Sequence, residues 1–432
     1  MEVLDGAGEP PNGKGREIFV DYCFEIQFLV AKERSDLDYS NMDDDRSDIS
    51  DNDISQLRWV CPADEKDPLR AILNRCKNLL LQNNEPVTIC YDPAYPDIDL
   101  RVFDAEMAEN PDRLGHWHLE PCSTARVKKG GPPEYDWFGI RLRSPLYPET
   151  ELENPASTVK WALGALRMGV TMHVNSTCRF NVRVQPDDGP MTLLAAKKLT
   201  TLVWVVERDL LLRLCPSSQG VHWRHVKPID SHSRIAAARW KGHVESTRPE
   251  DPLRAGIMDQ YLPPLHDKVV QERLHDVWAA ASTRELAKAL CCNDGSPASF
   301  AILAPPDEPA AGSAGGPAAE FRYALWHPYS TLDASHYWIQ LAVSLFKATA
   351  HGSFDFKDYV RAIDRIIKGF VSGVAPSARW KILLDKLHLS EDWATPWERI
   401  VDEYKDGRLL GYPSIDRHPV LDQIDELKQY KP

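Results

Sequence analysis

Apolar and polar positions alternate most clearly from Phe19 to Val30. Tyr22, Phe24, Ile26, Phe28 and Val30 are apolar, while Asp21, Cys23, Glu25 and Gln27 fill the other phase. Side chains alternate faces along a strand, so Glu25 and Gln27 are predicted to point together, away from a core. Trp137–Arg143 repeats the pattern with Phe138, Ile140 and Leu142 inward, and Ser144-Pro145 should stop it. In 179–185 the polar phase is Arg179, Asn181, Arg183 and Gln185. Shorter strands are predicted at Val87–Tyr91, at His116–Leu119, within 171–184 around a turn at Asn175-Ser176, and after Glu320.

Helical spacing appears behind Pro68, through Leu69, Ile72, Leu73, Cys76, Leu79 and Leu80, and again over Ser157–Met168. The clearest helix is predicted from Pro190 to Leu214, with Ala195, Leu199, Leu202, Val203, Val206, Leu210 and Leu214 as a buried stripe. Ser282-Thr283-Arg284-Glu285 fits a capping box, and Asp333 a cap for a helix that turns Trp338, Leu341, Ala342 and Leu345 inward. Residues 216–265 lack periodicity and read as an irregular excursion. Segments 1–16, 35–54 and 304–319 read as flexible, being rich in Gly, Pro, Ala or charge. The organisation expected is a flexible terminus at 1–16, one domain over 17–372 with insertions at 35–54 and 304–319, and a helical extension over 373–432. Strands with one polar face each, interspersed with helices, predict an α+β fold with helices on one side of a sheet and a ligand surface on the other.

Charge changes this picture little. The net −13 includes −7 from residues 35–54, which hold eight aspartates and one arginine, leaving −6 elsewhere. That segment reads as a solvated insertion or, with its serines beside acids, as a phosphorylated docking loop. The balance excludes general nucleic-acid binding. No apolar run reaches the ~18–20 residues of a membrane helix, and the first residues lack the form of a signal peptide. Nine cysteines without CxxC spacing predict reduced thiols in a cytoplasmic protein.

No Walker loop, HExxH, nucleophile elbow or dinucleotide fingerprint occurs. His116-Trp117-His118 sets two histidines on one strand face without a recognisable third ligand. Cys23 and Cys178 lie near the polar faces without a paired histidine, and His327 and His336 should flank the last helix.

The order of the motifs resembles the amidoligase family, of the carboxylate–amine ligase group that includes glutamine synthetase and glutamate–cysteine ligase. Tyr22-Cys23-Phe24-Glu25-Ile26-Gln27-Phe28 is similar to the family's F-G-(V/I)-E-(L/I)-E-F strand, with Gln27 in place of an acid. Ile140-Arg141-Leu142-Arg143-Ser144-Pro145 resembles V-E-(I/L)-V-S-P, with Arg141 in the acidic position. Asn175–Gln185 resembles N-x-S-C-G-x-H-V-H-V-G, with Asn181 and Arg183 replacing both histidines and Arg179 and Gln185 both glycines. The long helix with Glu207, ending at Cys215-Pro216, is similar to the family's next element. Glu320-Phe321-Arg322 with Ser330-Thr331-Leu332-Asp333 resembles its E-F-R and G-T-L-D segments; a gapless alternative pairs Ala324, Leu325 and Trp326 with E-F-R. The resemblance covers roughly 17–31, 110–216 and 320–350.

It implies a curved, mainly antiparallel sheet like that of glutamine synthetase and glutamate–cysteine ligase, and an ATP-dependent reaction joining a carboxylate to an amine. An active site would use Glu25, Glu320 and Arg322 in catalysis, and Glu25, Glu120 and Glu320 as ligands for Mg²⁺ or Mn²⁺. The substitutions point elsewhere: Gln27, Arg141, Asn181 and Arg183 suit an anion held by guanidinium forks. The arginines fit equally an ion-pair network with Glu25. The alternatives to a ligase are a non-catalytic descendant that binds a small anion or a protein, and an interaction scaffold using the acidic loop and 216–265.

Overall fold

The computed structural model describes residues 18–37, 58–90, 115–127, 133–154, 157–175, 177–215, 226–240, 252–304, 317–326, 334–370, 375–389, 396–398 and 401. The expectations for 1–16, for most of 35–54 and 304–319, for Tyr91, for His327 and the Ser330–Asp333 segment, and for 402–432 lie outside them.

The chain is a mixed α/β protein built on a mostly antiparallel, open sheet. In chain order the strands are β1 Val20–Glu33, β2 Val87–Ile89, β3 Trp117–Pro121, β4 Tyr135–Arg143, β5 Tyr147–Pro148, β6 Met172–His173, β7 Arg179–Pro186, β8 Phe300–Leu303 and β9 Ala318–Leu325. Their order across the sheet is β2-β3-β4-β1-β7-β9-β8, with β5 and β6 also paired to β1. Among the described strands only β2 and β3 run parallel.

The apolar phase of β1 makes the core: Tyr22, Phe24, Ile26, Phe28 and Val30 are at most 1% exposed. Fully burying such a side chain contributes about 1.5–3 kcal/mol, which pins the register, since a one-residue slip would turn all five outward. Neighbouring strands add Ile140, Leu142, Phe180, Val182 and Val184. The helix Ala334–Lys347 packs across β1, β7 and β9 and buries Trp338, Leu341, Ala342 and Leu345. Trp338 stacks on Tyr323 of β9, with ring centroids 6.3 Å apart. His336 lies inside this helix rather than flanking it.

β4 ends where the sequence predicts. The Ser144 hydroxyl accepts from the Phe24 amide at 2.9 Å and donates to the Pro145 carbonyl at 2.8 Å, closing the ladder before a residue that has no N–H. Helix Pro68–Gln82 begins with proline in its first turn, and its Asp67 cap accepts from the Arg70 amide. In helix Thr283–Leu290 the Ser282 hydroxyl caps the Glu285 amide, while Glu285 reaches back to the Ala281 amide rather than that of Ser282.

Two further expectations need correction. The helix predicted over 190–214 begins at Leu193, capped by Thr192, and is buried well beyond one stripe: Lys197, Lys198, Thr200 and Thr201 are buried too. The lysines reach backbone carbonyls, Lys197 that of Trp278 at 2.8 Å and Lys198 those of Thr349 and His351 at 3.1 and 2.7 Å. Long side chains that bury their stems and satisfy their heads against helix ends read as solvent-facing in sequence. From Glu207 to Leu211 the helix widens into a π turn.

The 216–265 region is not an irregular excursion in its described parts, which form helices Ile229–His232, Arg234–Trp240 and Pro252–Tyr261. The first two are too short to repeat an apolar spacing, and the third buries only Ala255, Met258 and Tyr261. The first is tied to the core by Glu207, fully buried, whose carboxylate accepts from the Ile229 and Asp230 amides at 2.8 and 3.0 Å and from the Tyr323 hydroxyl at 2.6 Å. All nine cysteines are free thiols. No helix among the described residues is long and apolar enough to cross a membrane.

Candidate anion-binding face

The polar phase of β1 and the matching phases of its neighbours meet in rows across the sheet. Gln27 faces Arg141, which faces Glu120 of β3. Glu25 lies between Arg143 of β4 and Asn181 of β7. Cys23 faces Arg183, which faces Glu320 of β9. Glu25, Gln27, Arg141, Asn181 and Arg183 therefore share one face, joined by Glu120, Glu320, Arg143, Arg179 and Arg322. A register shift in β9 opposite Asn181 falls beside Arg322.

Glu25 is the hub. Its Oε1 accepts from Gln27 Nε2 at 2.9 Å and Asn181 Nδ2 at 3.2 Å, and lies 3.3 Å from Arg141 Nε. Its Oε2 is 3.6 Å from an Arg143 nitrogen. Burial pushes this carboxyl up, but Arg141, Arg143, the Gln27 hydrogen bond and Arg322 together outweigh it and the net shift is downward. Arg141 also donates to Glu120 at 2.9 Å. Burial raises Glu120 further than Arg141 and Arg143 lower it, so its net shift is upward. For Arg141, burial disfavours the charge, yet Glu25 and Glu120 raise its pKa overall. On β9, Glu320 pairs with Arg322.

Arg179 and Arg183 differ from the other three arginines. Neither guanidinium has a hydrogen bond or ion pair among the described residues, and the Arg183 Nε is buried without a partner. Burial and the nearby Arg322 lower the Arg179 pKa. The Cys23 thiol is pushed up by burial despite Arg183 and Arg143, so it does not present as a thiolate.

One end of the face carries a rim. The Cys122 amide bonds the Gly139 carbonyl at 2.8 Å, and the Asn175 and Thr177 side chains hold the Arg126 carbonyl at 2.9 and 3.1 Å. Gly139 permits this approach, because a Cβ there would run into the carbonyl oxygens of Cys122 and Ala125.

The donor set does not fit a hard divalent cation, which wants several free carboxylate oxygens. Glu25, Glu120 and Glu320 each face a guanidinium, and no group of three or more His, Cys, Asp or Glu side chains among the described residues could hold a metal ion. His116 instead lies 3.2 Å from the Thr88 hydroxyl. The face carries five guanidiniums against three carboxylates, an excess of two positive charges in a partly buried setting. Arg143 belongs to it although only Arg141 stands in a family acidic position; strand alternation places Arg143 on the same face two residues on.

No protein-family model, curated protein or solved structure matches this chain.

Proposed function

We propose that this chain is an amidoligase-like protein, with the sheet of the glutamine synthetase and glutamate–cysteine ligase group. Its ancestral site for ATP-dependent amide formation has become a face that binds a small anion. The motif order along the chain supports the ancestry, as does the central position of β1 between the two other motif-bearing strands. The single observation that carries the anion reading is the pair Arg179 and Arg183, two guanidiniums on one strand with no acidic partner among the described residues. Such groups recognise carboxylates and phosphates through two parallel hydrogen bonds. Arg141 plays a different part, holding Glu25 and Glu120.

The test is thermal unfolding in phosphate or succinate against chloride at matched ionic strength. Both anions should raise the midpoint of the parent, and an Arg179→Gln, Arg183→Gln double variant should lose that shift. Equal shifts in parent and double variant would refute the assignment. ATP turnover dependent on Mg²⁺ or Mn²⁺ and abolished by Glu25→Gln would restore the ligase.

A further inference from the structure

Two orphaned acceptors say what kind of anion suits this face, an inference that rests on the anion-binding reading above. Gln27 is 3% exposed and Asn181 9%. Each gives its amide NH₂ to Glu25 Oε1, and each is left with a buried carbonyl oxygen that has no hydrogen-bond partner. Charge fixes these orientations, because turning either amide over would set its carbonyl against the Glu25 carboxylate. Buried carbonyls are nearly always paired, and leaving one unpaired is costly. Two of them flank one carboxylate on adjacent strands, so they ask for a donor from outside the chain. The way in is past side chains that keep some solvent contact: Glu25 is 15% exposed, Arg141 17%, Arg143 23% and Arg322 20%.

The sign of the donor follows from its surroundings. An ammonium would enter a face that already carries two excess positive charges, and like charges repel strongly where water is scarce. A hydroxyl or amide N–H meets no such barrier. The unpaired Arg179 and Arg183 lie on either side of Asn181 along β7, roughly 13 Å apart at the backbone, within the span of two flexible side chains closing on one small molecule. We infer that the face takes a ligand with two acidic groups and a neutral hydrogen-bond donor between them, a hydroxy-dicarboxylate or its amide counterpart. Bare dicarboxylates and amino-acid zwitterions are the disfavoured relatives.

Three probes of one skeleton test this by calorimetric titration of the full chain: succinate with no donor, L-malate with a hydroxyl, and L-aspartate with an ammonium. Malate should bind about five- to tenfold more tightly than succinate, the effect of one hydrogen bond to a buried acceptor, and aspartate most weakly. Gln27→Met, which removes the carbonyl at nearly constant volume, should bring the ratio of malate to succinate affinity close to one. The comparison on the parent stands even if that variant does not fold. Equal binding of malate and succinate would overturn the inference, with the carbonyls then served by water. Tightest binding by aspartate would overturn it in favour of a zwitterion. In both cases the anion reading would survive; failure of all three probes to bind would overturn the two together.

Discussion

Replacing Arg141 with glutamine should be the most damaging single change on the polar face. Its guanidinium lies 3.3 Å from Glu25 and 2.9 Å from Glu120, and its side chain is only 17% exposed. Breaking a buried pair by removing one partner costs about 3–5 kcal/mol, because a charge is left without compensation. Here Glu25 keeps Arg143 at 3.6 Å, whereas Glu120 keeps no ion pair among the described residues, so about 3 kcal/mol is expected. Arg183→Gln makes a matched control: it removes the same charge from the same face but breaks no ion pair, and should cost under about 1 kcal/mol. Urea unfolding of both variants, read as a change in midpoint at constant slope, measures the difference. The pH dependence adds a check. The folded pKa of Glu25 lies below its ordinary value, so the stability it contributes is present above about pH 4.5 and is lost as pH falls through the folded value. The Arg141→Gln penalty should therefore shrink in acid. Equal costs for Arg141→Gln and Arg183→Gln would refute the division between a structural and a ligand-seeking arginine.

Other perturbations probe the frame behind the face. Gly139→Ala should destabilise by about 2 kcal/mol and weaken anion binding, since its methyl displaces the Cys122–Ala125 rim; unchanged urea midpoint and anion-induced thermal shift would count against that packing. Tyr323→Phe removes the 2.6 Å bond to Glu207 and should cost about 1–2 kcal/mol in the same assay, with a neutral result arguing that the hydroxyl is not so placed. Burial, and then Asp230, push Glu207 up to about 8 against the pull of its three donors. A raised carboxyl holds its proton more tightly when folded, so its contribution is greatest below about pH 4.5 and is lost as pH rises through about 8. Unfolding free energy should decline over that window in the parent and be flatter in Glu207→Gln; parallel profiles would remove the titration.

The sequence by itself determined the strand faces. Alternation from Phe19 to Val30, in Trp137–Arg143 and in 179–185 is a local property, and the burial of one phase decides which way the other must point. It therefore placed Glu25, Gln27, Arg141, Asn181 and Arg183 in the polar phases, and it placed the helices of 68–82 and 158–169 through apolar spacing and caps. Partnership was another matter. Whether an arginine finds a carboxylate depends on cross-strand register and on competition: Arg141 lies opposite Glu120 and pairs with it, whereas Glu320, opposite Arg183, pairs with Arg322 instead. Register is a relation between separate segments, 21 residues apart for Glu120 and Arg141 and more than a hundred for the other pairs, and only the folded sheet fixes it. The same holds for Glu207: nothing local distinguishes it from a solvated helical acid until the Ile229 and Asp230 amides and the Tyr323 hydroxyl converge on it. Charge excess on the face is likewise a sum over five strands, β1, β3, β4, β7 and β9, visible only once they lie side by side.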